Sequence, residues 1–197
     1  MKVIGLCGGS GSGKGLACRF FAQFGIKIID TDGIYHTLTS TAGDCLQEIE
    51  NAFGTSVIKD GALDRRLLAN IVFSSPDKLS LLNSITHKHI LNEARRRIDA
   101  FRENGAIGVI IDAPLLFESG FDKECDATVA ICADTDIRIL RITQRDGISR
   151  EHAVRRIQSQ KSDEWLRGKC DYVIENNGTF ADLERSVMNL TKKIFDI

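Results

Sequence analysis

The 197-residue chain holds only two prolines, two methionines and one tryptophan. So little proline argues against a proline-rich linker or recognition arm. No segment repeats, none is low in complexity, and no apolar run approaches the roughly 20 residues of a membrane-spanning helix. These absences exclude a repeat array, a disordered chain and a helical membrane protein. The opening Met1-Lys2-Val3-Ile4-Gly5 enters a strand pattern at once, without the basic-then-apolar leader of a secretory signal. Cysteines stand at 7, 18, 45, 125, 132 and 170 with no Cys-x-x-Cys pair. Reduced thiols in a cytoplasmic protein are therefore expected, not a disulfide framework.

Strong charge of one sign is also missing. The net charge is −1, which gives no general attraction for nucleic acid. Residues 138–169 nevertheless carry nine Lys/Arg against four Asp/Glu. A basic segment in a near-neutral protein points to a bound anion and not to a polyanion track.

What is present is an ordinary globular balance, 43% hydrophobic and 27% charged. A chain of this length buries roughly 70% of its unfolded surface and needs no metal or disulfide staple. Apolar strand patterns at 3–6, 26–29, 108–111, 128–133 and 172–174 alternate with helical patterns. That alternation predicts an α/β fold, a parallel sheet flanked by helices, in a single domain over 1–197. Helices without intervening strands are expected over 63–73, 77–85 and 89–102, with Pro76 opening the second and Gly105 ending the third. Residues 33–53 look helical but weakly patterned, and Asp60-Gly61 marks a turn. Basic helices are expected over about 135–146 and 150–160, the latter capped by Ser149. The blocks 60–104 and 137–168 thus read as insertions at strand ends, where open α/β sheets bind ligands.

Gly8-Gly9-Ser10-Gly11-Ser12-Gly13-Lys14 fits Gly-x4-Gly-Lys between a strand and a helix. Its glycines let successive amides turn onto phosphates, the next helix adds its N-terminal dipole, and Lys14 reaches the β/γ oxygens. The expected nucleotide contacts are Gly11, Ser12, Gly13, Lys14, Gly15 and Leu16. A hydroxyl that binds Mg²⁺ is due directly after the lysine, and the residue there is Gly15. Either carboxylates and water hold the metal, or its binding is weakened.

Asp30 and Asp32, read as an extended pair pointing one way, suit phosphoryl-transfer chemistry or a helix cap. Asp112, at the tip of an apolar strand, suits ordering Mg²⁺ through water. Arg138, Arg141 and Arg145 share one helix face, either a lid over phosphate or a solvated surface. His87 and His89 lack a third ligand at metal spacing, and Trp165 reads as packing.

These residues lead to a resemblance. The chain resembles the dephospho-CoA kinase family through Gly5-Leu6-Cys7-Gly8-Gly9 with Gly11–Lys14, Ile29-Asp30-Thr31-Asp32, and Gly61-Ala62-Leu63-Asp64-Arg65. Further matches are Ile85-Thr86-His87, Asp112-Ala113-Pro114-Leu115-Leu116-Phe117-Glu118, Arg141 with Arg145-Asp146, Gln160, and Asp171–Ile174 with Asn176-Asn177-Gly178. The resemblance implies a P-loop kinase fold with a helical acceptor-binding region and a mobile basic lid. It implies ATP as phosphoryl donor, with Mg²⁺, and transfer to the 3′-hydroxyl of dephospho-CoA, with no membrane or nucleic-acid partner. By the same resemblance Asp32 is the catalytic aspartate, Arg141 the lid arginine and Arg145 its support. Arg65 and His87 fall on the acceptor side, and Asn176 and Gly178 beside the adenine. The family usually has Thr at Cys7, Ser or Thr at Gly15 and Pro at Lys88. Two other readings stay open: a P-loop kinase of a nucleoside or nucleotide, or a nucleotide-binding protein whose turnover is impaired through Gly15.

Overall fold

Strands rich in β-branched residues and helices with one apolar face divide the chain as the pattern requires. The computed structural model describes residues 1–195, so the last two positions of the 1–197 reading lie outside the described residues. The chain opens with β1 (Lys2–Cys7), α1 (Lys14–Gln23) and β2 (Lys27–Asp30). There follow α2 (Thr31–Ser40), α3 (Asp44–Phe53), β3 (Ile58–Lys59), β4 (Ala62–Leu63), α4 (Arg65–Val72) and α5 (Pro76–Glu103). The remainder is β5 (Gly108–Asp112), β6 (Ala127–Cys132), α6 (Thr135–Asp146), α7 (Arg150–Gln158), α8 (Asp163–Lys169), β7 (Tyr172–Glu175) and α9 (Phe180–Phe195). Two compact units emerge, one of Met1–Ile29 with the chain from Ile98 onward, the other Asp30–Arg97. Among the described residues, no helix is long and apolar enough to cross a membrane.

The first unit is built on a five-stranded sheet in the order β2-β5-β1-β6-β7. β1 pairs in parallel with β5 and β6, and β6 with β7. The register sets Leu6 opposite Asp112, so the carboxylate at the end of β5 is level with the end of β1. On one face, Ile4, Leu6, Ile110, Val129 and Ile131 pack with Ala17, Phe20 and Phe21 of α1 and Leu183, Val187 and Phe195 of α9. The closest approach is at Gly108, where a side chain would run into the Phe195 ring. Ser149 caps α7 as expected, accepting from His152 N at 3.3 Å. The seven-residue α8 has too few turns to show a pattern; Ser162 caps it, accepting from Trp165 N at 3.1 Å.

The second unit has its own core of Cys45, Leu46, Ile49, Val57, Leu63, Leu68, Val72 and Leu82. Asp60 and Gly61, with φ +51° and +76°, turn β3 back on β4, a short hairpin beyond the expected turn. The helical stretch over 33–53 is two helices, α2 and α3. The helices expected over 77–85 and 89–102 are one, α5. Lys88 explains the continuity, because it keeps the backbone N–H that a proline would remove from the helix interior. Its ammonium also donates to Glu48 Oε1 at 2.7 Å, tying α5 to α3.

Gly108→Ala is expected to destabilise the fold by about 1–3 kcal/mol through overpacking against Phe195. A lowered urea midpoint with an unchanged slope is the result to look for.

Candidate functional site

The loop from Gly8 to Gly13 is shaped by its glycines and then held from outside. Gly11 and Gly13 take φ of +78° and +95°, a left-handed conformation open to few other residues. Ser12 N closes a turn on Gly9 O at 3.1 Å. Gly13 caps α1 with no side-chain hydrogen bond, so no side chain competes with an anion at that helix N-terminus.

Three successive carbonyls are engaged by distant donors. Arg138 Nε donates to Ser10 O at 2.9 Å, Arg141 Nη1 to Gly11 O at 3.3 Å, and Asn176 Nδ2 to Ser12 O at 2.7 Å. In a planar trans peptide a carbonyl and the next N–H point opposite ways. Fixing these carbonyls outward therefore aims the following amides the other way. Gln160 completes the brace: its Oε1 accepts from Ser10 N at 2.8 Å and its Nε2 donates to Ser10 Oγ at 3.1 Å. Inside the loop, the fully buried Ser12 Oγ has no hydrogen-bond partner among the described residues. An unmet buried hydroxyl costs about 1–3 kcal/mol, and a bound phosphate oxygen would remove that cost.

Lys14 leads α1 on the sheet face where Asp112 ends β5. Its Nζ forms an ion pair with Asp112 Oδ1, and Cys18 Sγ lies 3.4 Å from Oδ2. Gly15 is exposed, and a Cβ there would meet nothing within 4 Å. Packing does not forbid a hydroxyl at 15; the oxygen is simply missing. Among the described residues no three His, Cys, Asp or Glu gather as metal ligands.

The arginines expected to act as one face each serve different acceptors. Arg138 is buried, and its Nη1 donates to Asp163 Oδ1 at 2.6 Å. Asp163 Oδ2 also accepts from Ala133 N at 3.0 Å. Arg141 reaches the cradle. Arg145 turns away and holds Asp146 through Nε and Nη2 at 2.7 and 3.0 Å. Arg145 and, after it, Arg156 push the Asp146 carboxyl down to about 2. Asn177 Oδ1, beside Asn176, accepts from Asp134 N at 2.8 Å, and Gly178 is exposed just beyond.

The first unit thus brings together Gly11–Leu16, Asp112, Arg141 and Asn176. Asp32, Arg65 and His87 belong to the second unit. The extended pairing of Asp30 with Asp32 is corrected. Asp30 is the N-cap of α2, its Oδ1 accepting from Asp32 N at 3.0 Å, and Asp32 is exposed in the first helical turn. Helix formation at Thr31 removes the two-residue alternation that the strand reading assumed. Arg65 contacts His36 and donates to Thr39 Oγ1 at 3.1 Å, with its guanidinium 5.6 Å from the Tyr35 ring centre. His87 is half-buried on α5. His89 Nε2 lies 3.3 Å from Glu48 Oε1.

Asp163, and the bracing by Arg138 and Gln160, were not apparent from spacing, because their partners lie up to 150 positions away. Trp165 packs as expected, but at the surface. It is 37% exposed, packs edge-on to Phe117 at 5.2 Å, and lines a cavity of 360 Å³ with Cys7, Gly8, Gly9, Pro114 and Gln160.

A parallel sheet whose central strand feeds a glycine cradle, followed by a helix headed by lysine, defines a P-loop kinase. Solved structures agree on the fold. A Thermus thermophilus protein superposes with a TM-score of 0.83 at 28% identity, covering 98% of this chain and 97% of that one. Dephospho-CoA kinase from Campylobacter jejuni gives 0.73 at 24%, with the same coverage, and shikimate kinase from Acinetobacter baumannii gives 0.57 at 15%, over 100% of this chain and 94% of that one. The family model described as dephospho-CoA kinase matches residues 2–182. A dephospho-CoA kinase of Corynebacterium glutamicum is 36% identical over 195 residues, 98% of each chain. One from Fusobacterium nucleatum is 39% identical over 196 residues, 98% of this chain and 99% of that one. The chain belongs to the dephospho-CoA kinase family.

Arg138→Met leaves Asp163 as an uncompensated buried charge, an expected loss of about 3–5 kcal/mol. Asp163→Asn added to it is expected to restore part of that stability, measured by urea titration of both variants.

Proposed function

We infer that this kinase transfers the terminal phosphoryl group of ATP to the 3′-hydroxyl of dephospho-CoA, giving coenzyme A and ADP. The observation that carries this reading is a family match over residues 2–182 joined to a cradle whose Ser10, Gly11 and Ser12 carbonyls are engaged by Arg138, Arg141 and Asn176. Phosphoryl transfer asks the protein mainly for positioning and charge stabilisation. The residues from Gly11 to Leu16 and the dipole of α1 hold the phosphates, with Ser12 acting through its hydroxyl because its amide already donates to Gly9 O, as Leu16 N does to Gly13 O. Lys14 exchanges Asp112 for a phosphate oxygen, and Arg141, already donating to Gly11, adds its charge from the lid over 137–168. Arg145 supports that lid through Asp146. Asn176 and Gly178 line the adenine side.

Asp32 takes the proton of the attacking hydroxyl, while Arg65 and His87 bind the acceptor within the helical region over 60–104. These roles rest on the family resemblance of the residues. Asp112, at the end of β5, would hold Mg²⁺ through water, and the ion would neutralise charge on the phosphates of ATP. We also infer a cytoplasmic enzyme from the reduced thiols, and no nucleic-acid partner from the near-neutral charge.

The test is ADP release with ATP and a panel of dephospho-CoA, nucleosides and nucleotides. Turnover confined to dephospho-CoA supports the reading. Turnover only with another acceptor overturns it, as does ATP binding without turnover at saturating Mg²⁺. Asp32→Asn is expected to lower kcat by roughly 10²–10⁴-fold with little change in ATP affinity. Arg141→Ala should also reduce kcat more than ATP binding, as steady-state rates and nucleotide titration would reveal. Gly15→Ser, with open space for its side chain, is expected to lower the Mg²⁺ concentration for half-maximal rate by about 10-fold.

A further inference from the structure

Cys7 ends β1 and leads directly into Gly8 of the cradle. Its side chain points to the sheet face opposite α1, since Ile4 and Leu6 occupy the α1 face. There Cys7 Sγ lies 3.4 Å from Cys170 Sγ, in the segment between α8 and β7, and 3.6 Å from Val129 O. A disulfide has a sulfur separation of about 2.05 Å, so closure requires sulfur movement on the order of 1 Å. Cys7 also lines the cavity beside Trp165, and Cys170 is half-exposed. Cys7 itself is 2% exposed, so a small oxidant reaches the pair from the Cys170 side.

The two thiols differ in character. The hydrogen-bond contact with Cys7 holds the Cys170 thiol below its ordinary value. The same contact, with burial, pushes Cys7 up. Thiolate is the reactive form, and Cys170, the more exposed of the two, is the sulfur that meets an oxidant first.

We propose that Cys7 and Cys170 form a reversible disulfide in response to hydroperoxides, and that this bond weakens nucleotide binding in the adjacent cradle. The Cys170 sulfur attacks the O–O bond and becomes a sulfenic acid, releasing the alcohol, or water when the oxidant is hydrogen peroxide. The Cys7 sulfur then attacks the sulfenyl sulfur, the S–O bond breaks, and water leaves with the Cys7 proton. Two thiols lose two electrons in total, and the hydroperoxide gains them. The bond pulls on the residue before Gly8, whose backbone is already close to β6: a Cβ at Gly8 would sit 2.6 Å from Ile131 O. With no slack there, movement of Cys7 passes into the loop. Misplacing a positioning group by about 1 Å costs up to ~10²-fold.

The experiment treats the full chain with hydrogen peroxide, blocks remaining thiols, and maps non-reduced peptides by mass spectrometry. ATP affinity is measured in parallel by titration. The expected result is a peptide joining Cys7 to Cys170, with ATP affinity lowered about 10-fold or more and restored by dithiothreitol. Cys170→Ala, and separately Cys7→Thr, should make ATP affinity insensitive to peroxide; either variant suffices if the other does not fold. Sulfinate at Cys170 without the linked peptide overturns the proposal, as does a linked peptide with unchanged ATP affinity. The peptide map is independent of acceptor identity, so its result does not depend on the assigned kinase reaction.

Discussion

An amide cannot turn toward an anion unless the carbonyl across the same peptide bond turns away and finds a donor of its own. That constraint organises the first unit. The cradle's inner surface is written in Gly11 and Gly13, but its outer surface is satisfied by Arg138 and Arg141 of α6, by Gln160 beyond α7 and by Asn176 beyond β7. The segments that follow β6 and β7 are thus not merely attached near the ligand site. They hold the loop in the shape that binds phosphate before any phosphate arrives.

Charge is distributed with the same logic. The basic segment over 138–169 is not a uniform field: its most buried cation is neutralised locally by Asp163, and Arg145 and Arg156 are neutralised by Asp146. Arg141, next to the cradle, and Lys14, paired with Asp112, are the cations placed to change partner when an anion binds. A buried Arg–Asp pair contributes little net stability, but removal of one member is expensive. Arg138 therefore reads as a fixed brace, and in the proposed function Arg141 is the residue that responds to ligand.

Much of the architecture was legible because it rests on short-range rules. Ser149, Pro76 and Gly105 marked helix ends, and Gly8–Lys14 marked the cradle, since caps, prolines and left-handed glycines act within a few residues. The same local reasoning failed at Asp30 and Asp32, where a strand period was carried one step into a helix that Asp30 itself caps. It also failed at the α5 break, where Lys88 keeps the hydrogen bond that a proline would have lost. Arg138, Arg141 and Arg145 were placed correctly on one face, but a shared face does not say which acceptor each side chain meets.

By itself, the sequence determined the phosphate cradle, the strand–helix alternation, the lysine at the head of α1 and the gap at Gly15. Each follows from what a residue's own backbone and side chain allow. Only the tertiary structure decided that Asn176 meets Ser12 across 164 positions, that Arg138 meets Ser10 across 128, and that Cys7 meets Cys170 across 163. Those contacts depend on strand order and register, which bring the ends of β1, β6 and β7 side by side. Spacing along the chain carries no trace of that juxtaposition, because folding sets it by burying the faces of the sheet.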